Sequence, residues 1–278
     1  MIEADSIVRK EIKHFSANKI IDKDDLLAIE EPLEVQISYV SDGVRVRKSI
    51  SVTMRTPGQD KELGVGFIFT EGIIRHPKQI ESIRSGPLEG NKVLIALKDN
   101  EIPNLPSTER NFYTTSSCGV CGKSSIDAIK TVSAYGKQND RITVDSRILL
   151  RLTRELEKQQ SIFLSTGGLH ASALFDLEGR FLMLREDVGR HNALDKVLGA
   201  LFLQDELPLD NKILLLSGRA SFELIQKAAM AGIRIIAAIG APSSLAVDLA
   251  EESNITLAGF LRRDTFNIYS GHERLTGI

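Results

Sequence analysis

The first clear period along the chain has a length of two. Leu33-Glu34-Val35-Gln36-Ile37-Ser38-Tyr39-Val40 alternates apolar with polar positions, and after Ser41-Asp42-Gly43 the run from Val44 to Met54 alternates again. Asp-Gly between two half-buried strands predicts an antiparallel hairpin. Residues 1–30 are charged with little periodicity, which predicts a surface arm or a short helix. Beyond Pro57-Gly58, the segment Asp60 to Ile74 sets Leu63, Gly66, Phe67, Ile68 and Ile74 largely on one side of a helix that Gly72 or Pro77 can stop. Val93 to Leu97 reads as a further strand. Residues 98–116 contain Pro103 and Pro106 among Asn, Ser and Thr and have no period, as expected of a linker or a functional loop.

After residue 123 short apolar runs alternate with segments of helical period. Ile162 to Leu164 reads as a strand ending in Ser165-Thr166-Gly167-Gly168, and Ala171 to Phe175 as another. Phe181 to Leu184 leads to a helix from about His191 to Leu203. Ile213 to Leu216 leads through Ser217-Gly218-Arg219 to a helix from Ala220 to about Met230. Ile233 to Ile239 leads through Gly240-Ala241-Pro242-Ser243 to a helix over Ser244 to Glu251, and Ile255 to Phe260 is a last strand. Such units predict an α/β domain whose mainly parallel sheet is covered on both faces. A chain of 278 residues has room for two domains, and the change of texture divides it into 1–110 and 111–278.

Charge and composition remove several classes of function. Thirty-five Lys and Arg against 37 Asp and Glu leave a net charge of -2, so no overall field attracts nucleic acid and any anion site is local. The apolar run Ile233 to Ile239 is broken by Arg234, and no window reaches the roughly 18 apolar residues of a membrane span. Met1-Ile2-Glu3-Ala4-Asp5 lacks the basic start of a signal peptide. Two cysteines cannot make a disulfide framework, so a reducing cytoplasm is expected.

Both cysteines fall in Thr115-Ser116-Ser117-Cys118-Gly119-Val120-Cys121-Gly122-Lys123-Ser124-Ser125. The glycines keep bulk away from the sulfurs, and the run after them reads as a helix start. A thiol beside a helix N-terminus and a lysine has a depressed pKa, which suits it to accept and donate sulfur. Structural zinc, a thioredoxin-like dithiol and inert buried cysteines remain open. Zinc lacks a second cysteine pair, and a dithiol motif usually opens a small domain.

Other motifs fail. Gly122-Lys123-Ser124 resembles the end of a P-loop, but Ser117 stands where its first glycine belongs. Gly64-Val65-Gly66 has Phe69 at the third glycine of a dinucleotide fingerprint and lies within a helix, so it reads as packing. His170 is followed by Ala171-Ser172 and Cys118 is preceded by Ser117, so the zinc-deaminase signature is absent.

Three turns at strand ends, Ser165 to His170, Ser217 to Ser221 and Gly240 to Ser244, offer helix N-termini for phosphate. Gly168, His170, Ser217 and Arg219 are candidates to line a crevice for a nucleotide-like ligand. Ordinary helix capping is the alternative for each turn. Arg185 to Lys196 is dense in polar groups just after a strand, where loops carry function, and His191 or His170 could act in proton transfer. Arg262 and Arg263 after the last strand suit phosphate contacts and base stacking, or are solvated surface arginines.

Taken together, Ser116 to Gly122, Thr166 to Ala171, Arg185 to Lys196, Ser217 to Glu223 and Ala241 to Ala246 resemble the signatures of the FdhD/NarQ family, over about Glu30 to Tyr269. The resemblance implies a small N-terminal α/β roll followed by a cytidine deaminase-like three-layer α/β/α domain, commonly paired as a homodimer. It implies a formate dehydrogenase accessory sulfurtransferase. Such a protein takes sulfur from a cysteine desulfurase and passes it to the molybdenum cofactor, bis-molybdopterin guanine dinucleotide, for the formate dehydrogenase apo-enzyme. Cys118 would carry the persulfide with Cys121 assisting. Phe260, Leu261, Arg262, Arg263, Asp264 and Thr265 would contact the guanine nucleotide portion. A cofactor-binding chaperone whose cysteines are structural is the competing reading, and a zinc protein a third.

Overall fold

A computed structural model describes residues 6–86, 90–105 and 142–277. Where the pattern predicts an arm or short helix, the chain forms an antiparallel hairpin of β1 (Ile7–Ser16) and β2 (Lys19–Ala28). Its two-residue turn puts Ala17 and Asn18 at φ 47° and 64°, and cross-strand charges such as Arg9 and Asp24 (3.7 Å) lie along it. Water wets most of both faces, so no apolar alternation marks these strands in the sequence.

The predicted second hairpin is present as β3 (Glu31–Ser41) and β4 (Val44–Arg55). Asp42 and Gly43 turn between them at φ 51° and 77°, the left-handed pair that a type I′ turn requires. After α1 (Asp60–Thr70) come β5 (Ile80–Gly86) and β6 (Gly90–Leu97), of which only β6 is predicted. The four strands form a sheet of order β4-β3-β6-β5, with β3 and β6 parallel. Leu33, Val35, Ile37, Val93, Ile95 and Leu97 are fully buried in its core, together with α1.

The rest of the described chain begins with β7 (Val144–Asp145) and α2 (Ser146–Gln159). The predicted strand at Ile162 to Leu164 is a helix, α3 (Ser161–Thr166). Glu186 makes it one: its carboxylate accepts the N–H groups of Ile162 (3.0 Å) and Phe163 (2.8 Å), and Gly167 ends the helix at φ 68°. A cap supplied 23 residues downstream leaves no local trace in the sequence. Then follow β8 (His170–Asp176), β9 (Phe181–Asp187), α4 (Arg190–Leu203), β10 (Lys212–Leu216), α5 (Phe222–Met230), β11 (Ile235–Ala238), α6 (Ser244–Glu252), β12 (Thr256–Gly259), β13 (Asn267–Ser270) and β14 (Leu275–Thr276).

Six of these strands make a sheet of order β13-β12-β11-β10-β8-β9. The expected mainly parallel sheet is corrected here, because only the β10–β11 and β11–β12 pairs are parallel. Tight returns cause this: Asp176 to Arg180 folds β9 back on β8, and a turn closed by Arg262 N–H on Thr265 O (2.8 Å) sends β13 back beside β12. One face carries Leu174, Leu214, Leu216, Ile236 and Leu257 into the apolar cluster shared with α1, α4 and the first sheet. The other carries Ala173, Phe175, Ile213, Leu215, Ile235 and Ala237 onto Leu149, Leu152 and Leu156 of α2. The boundary expected at 110/111 and the helix start after Lys123 lie outside the described residues. No helix among the described residues is long and apolar enough to cross a membrane.

Helices α1 and α4 touch backbone to backbone. A Cβ on Gly66 would lie 1.9 Å from Asp195 O, and one on Gly199 would lie 1.9 Å from Glu62 O. That is the packing role expected of Gly66. Neither carbonyl can withdraw without moving its helix, so Gly66→Ala should cost about 3 kcal/mol or more. It should lower the thermal midpoint by roughly 6 °C or more; a midpoint within a degree or two of the parent would contradict the crossing.

Candidate functional site

Strands β10, β11 and β12 end at one edge of the larger sheet, and their loops are zipped together. Gly240 N–H donates to Gly218 O (2.9 Å), Ala220 N–H to Ala241 O (3.1 Å), Ser243 N–H to Ala220 O (3.0 Å) and Phe260 N–H to Gly240 O (3.1 Å). A Cβ on Gly240 would come within 2.8 Å of the Arg219 backbone, so the close approach needs glycine there. The zipped loops leave the side chains of Arg219 and Phe260 exposed.

Because β8 runs antiparallel to β10, its start lies at this same edge. Ser217 ties the two together: its N–H donates to Ala171 O (3.0 Å), and its Oγ accepts from Ala171 N–H (2.8 Å). The His170 ring sits over Gly218, where a Cβ would be 3.2 Å from Nδ1. Opposite His170 in the ladder is Asp187, where β9 ends, and three residues later α4 begins with Arg190 and His191. His191 Nε2 faces Ser221 Oγ (3.3 Å) and Glu223 Oε2 (3.8 Å) of the α5 N-terminus. Both partners meet the same ring nitrogen, which is not the Ser-His-acid relay, where the acid holds the other nitrogen.

The electrostatics follow from this crowding. Burial, and then the positive charge of Arg190 with smaller effects of His191 and Arg219, push the His170 imidazole below its usual value, so the ring is neutral at neutral pH. The neighbouring His191 ring holds the Glu223 carboxyl down at about 2 against the opposing effect of burial.

Of the residues expected at the site, His170, Ser217 and Arg219 come together, and Phe260 is held next to Gly240, one strand beyond Arg219. Phe260 is 42% exposed and has φ 52°, a conformation that bulky L residues rarely adopt. Leu261 is buried in the core with α2, and its N–H donates to Ala238 O (3.0 Å). Arg262 folds back, donating from Nη1 to Ile239 O (2.7 Å) and Leu261 O (2.8 Å). Arg263 turns to Glu157 of α2 (3.5 Å), and Asp264 and Thr265 are exposed. Cys118 and Cys121 lie outside the described residues.

The three expected phosphate turns are revised. Ser165 to Gly168 closes α3 and leads into a strand, so exposed Gly168 stands at no helix N-terminus. Ser243 satisfies α6 itself by accepting from Ala246 N–H (3.3 Å). At α5 the N-cap Ser221 makes no side-chain capping bond, and neither does Gly189 at α4. The α4 N-terminus lies inside the polar segment Arg185 to Lys196, which the sequence singles out but not as a phosphate turn.

Most of the polar segment Arg185 to Lys196 holds the molecule together. Asp187 and Lys196 form an ion pair (2.8 Å) in which neither side chain is exposed. Thr56, between β4 and α1, completes it: its N–H donates to Asp187 Oδ2 (3.2 Å), its O accepts from Lys196 Nζ (2.9 Å) and its Oγ1 accepts from Val188 N–H (3.2 Å). Asn192 reaches Met54 O (2.7 Å), and Arg185 grips Glu62 of α1 at 2.6 and 2.9 Å. His191, by contrast, meets the α5 N-terminus. Partners more than 120 residues away made the segment look like a site from sequence alone.

Burial pushes the Asp187 carboxyl up, and Lys196 provides the largest opposing effect. Lys196→Met should therefore destabilise the fold by about 3–5 kcal/mol at neutral pH. With its folded-state value raised above the unfolded one, Asp187 favours folding when protonated. The deficit should then shrink as pH falls from about 8 to about 5.5 in urea unfolding. An equal deficit at both values would contradict the assignment.

Comparison with known proteins agrees with the resemblance in the sequence. The model of the FdhD/NarQ family matches residues 28–276, and the chain belongs to that family. It is 44% identical over 277 residues to the sulfur carrier protein FdhD of Mycobacterium tuberculosis, covering 96% of this chain and 98% of that one. It is 47% identical over 275 residues to the protein of the same name from Mycolicibacterium paratuberculosis, again covering 96% and 98%. A solved structure of a formate dehydrogenase accessory protein from Desulfotalea psychrophila superimposes with a TM-score of 0.71 at 23% identity, over 97% of this chain and 99% of that chain, and shares the fold.

Proposed function

We propose that the protein is a sulfur carrier for formate dehydrogenase, a sulfurtransferase that loads the bis-molybdopterin guanine dinucleotide cofactor with sulfur before or during its insertion. The observation that carries this reading is the Cys118-Gly119-Val120-Cys121 pair in a chain 44% identical, along almost its whole length, to relatives named sulfur carrier proteins. In the reaction the Cys118 thiolate attacks the terminal sulfur of a cysteine desulfurase persulfide. A new S–S bond forms on Cys118, the old one breaks, and the desulfurase cysteine leaves as a thiolate with no net redox change. Cys121 assists the onward transfer.

The cofactor is the cargo of this reaction, and the residues of the crevice suit it. Phe260 offers an exposed ring for a purine face, Arg219 and Arg190 offer guanidinium groups for phosphates, and His170 offers a neutral ring at the same edge. We assign residues 111–278 to a cytidine deaminase-like domain, which the order β9-β8-β10-β11-β12 with β8 antiparallel to β10 supports, and residues 1–110 to an α/β roll. A homodimer in the cytoplasm that meets the desulfurase and the dehydrogenase apo-enzyme completes the proposal.

Cys118→Ala should abolish maturation of formate dehydrogenase in cells depleted of the native protein, while the purified variant keeps the parent's thermal midpoint and its affinity for guanosine diphosphate. Full maturation by the variant would reject the carrier role. Loss of its folding or of nucleotide binding would make the cysteine structural.

A further inference from the structure

One face of the sheet β4-β3-β6-β5 packs on α1, which itself stands between this sheet and α4. A Cβ on Gly64 would meet the Val93 side chain at 2.7 Å, and one on Gly66 would meet Asp195 O at 1.9 Å. The alternate residues of the strands point away from α1. Arg47, Ser38, Ala96 and Ser82 stand side by side in register across β4, β3, β6 and β5, and Ser49, Gln36, Leu94 and Arg84 form the next row. Small side chains at the centre of the first row hollow this outer face into an open groove of about 600 Å³. Leu94, only 4% exposed although it belongs to neither apolar cluster, seals the floor beside them. On the side away from Leu94, Arg45 reaches over from β4, donating to Leu97 O (3.0 Å) and pairing with Asp99 and with Glu81 (3.2 Å). Arg84 lines the groove in the Leu94 row, and Arg47 stands at its β4 end.

The carboxylates of this face are already engaged: Glu81 and Asp99 share Arg45, and Glu34 lies 3.6 Å from Lys92. Arg47 is exposed and makes no ion pair among the described residues. Strands β3 and β6 have neighbours on both sides, so their amides are spent in the ladders. Phosphate seats draw on free backbone N–H groups, which such a floor does not present, whereas a carboxylate matches a guanidinium fork by itself. An enclosed pocket suits a small molecule. An open groove that crosses three strand spacings, about 14 Å, suits an extended chain passing through. We propose that the outer face of the small sheet is a docking groove for an extended acidic segment of a partner protein. The backbone of that segment crosses Ser38 and Ala96, and its carboxylates meet Arg47 and Arg84. Alternate side chains of an extended chain share a face at about 6.8 Å intervals, so acidic residues four apart reach both guanidinium groups. Two carboxylates on the one Arg45 leave the opposite wall negative, which turns the acidic side of the segment toward Arg47 and Arg84. The groove faces away from α4 and the larger sheet, so a partner seated there leaves the edge at His170 and Arg219 uncovered, and the inference stands independently of the function proposed above.

The test is fluorescence anisotropy of the full-length protein at fixed ionic strength with a fluorescein-labelled twelve-residue glutamate peptide, against a glutamine peptide and an oligouridylate of the same length. The parent should bind the glutamate peptide and not the glutamine peptide. Arg47→Gln should weaken that binding at least threefold, and the double variant Arg47→Gln, Arg84→Gln at least tenfold. Arg47→Lys, which keeps the charge and removes the fork, should recover part of the loss. Arg154→Gln, on the exposed side of α2, should change nothing. Ala96→Tyr fills the middle of the floor without altering any charge and should weaken the peptide at least fivefold at an unchanged thermal midpoint. Arg47 and Arg84 are exposed, so their variants keep the fold and the test does not depend on Ala96 alone. Peptide binding equal to the parent's in the double variant, or no binding by the parent, would overturn the groove. Full-strength binding by folded Ala96→Tyr would also overturn it, by showing that surface charge alone attracts the peptide. Oligouridylate bound more tightly than the peptide through the same two arginines would overturn an acidic protein segment as the occupant.

Discussion

The ion pair of Asp187 and Lys196, closed by Thr56, is the constraint on which the remaining structure depends. Two opposite charges with no solvent exposure are tolerable only when every donor and acceptor around them is matched. Here the matching groups come from both halves of the chain: Thr56 follows the first sheet, Asp187 ends an edge strand of the second, and Lys196 lies inside α4. Sliding one half against the other would strand a charge in the interior. The pair therefore specifies an arrangement, and the glycine contact of α1 with α4 and the Arg185–Glu62 grip keep that arrangement close.

Function follows from where this knot lies. Asp187 is directly opposite His170 in the β8–β9 ladder, so the group that fixes the two halves also fixes the start of α4 beside the crevice. From there the edge runs through His170 and Arg219 to the Gly240 turn and Phe260, stapled at each step by backbone hydrogen bonds. A rigid edge that exposes Arg219 and one strained aromatic would need little ordering on binding a ligand.

What was legible in the sequence depended on how local its cause was. Asp42-Gly43 and the alternation around it fix the second hairpin without outside help, and the β10 to β12 units show as apolar runs followed by helical period. The first hairpin is wet on both faces and carries no such signal, and α3 exists because Glu186 caps it from another strand. At the site, His170, Ser217 and Arg219 were readable because strand ends of an α/β sheet converge. Arg190 and His191 lie within a polar run most of whose other members prove to be structural, a distinction that only the three-dimensional partners reveal. The cysteine pair drew notice because both cysteines of the chain occur within four residues.

The central claim is that sulfur travels on Cys118 to a ligand held at this edge. The most direct measurement is intact mass spectrometry after incubation with a cysteine desulfurase and cysteine, followed by reduction and mapping of the peptide that spans residues 111–123. The account predicts a gain of one sulfur atom that maps to Cys118 and is removed by reductant. No gain in the presence of an active desulfurase would contradict it.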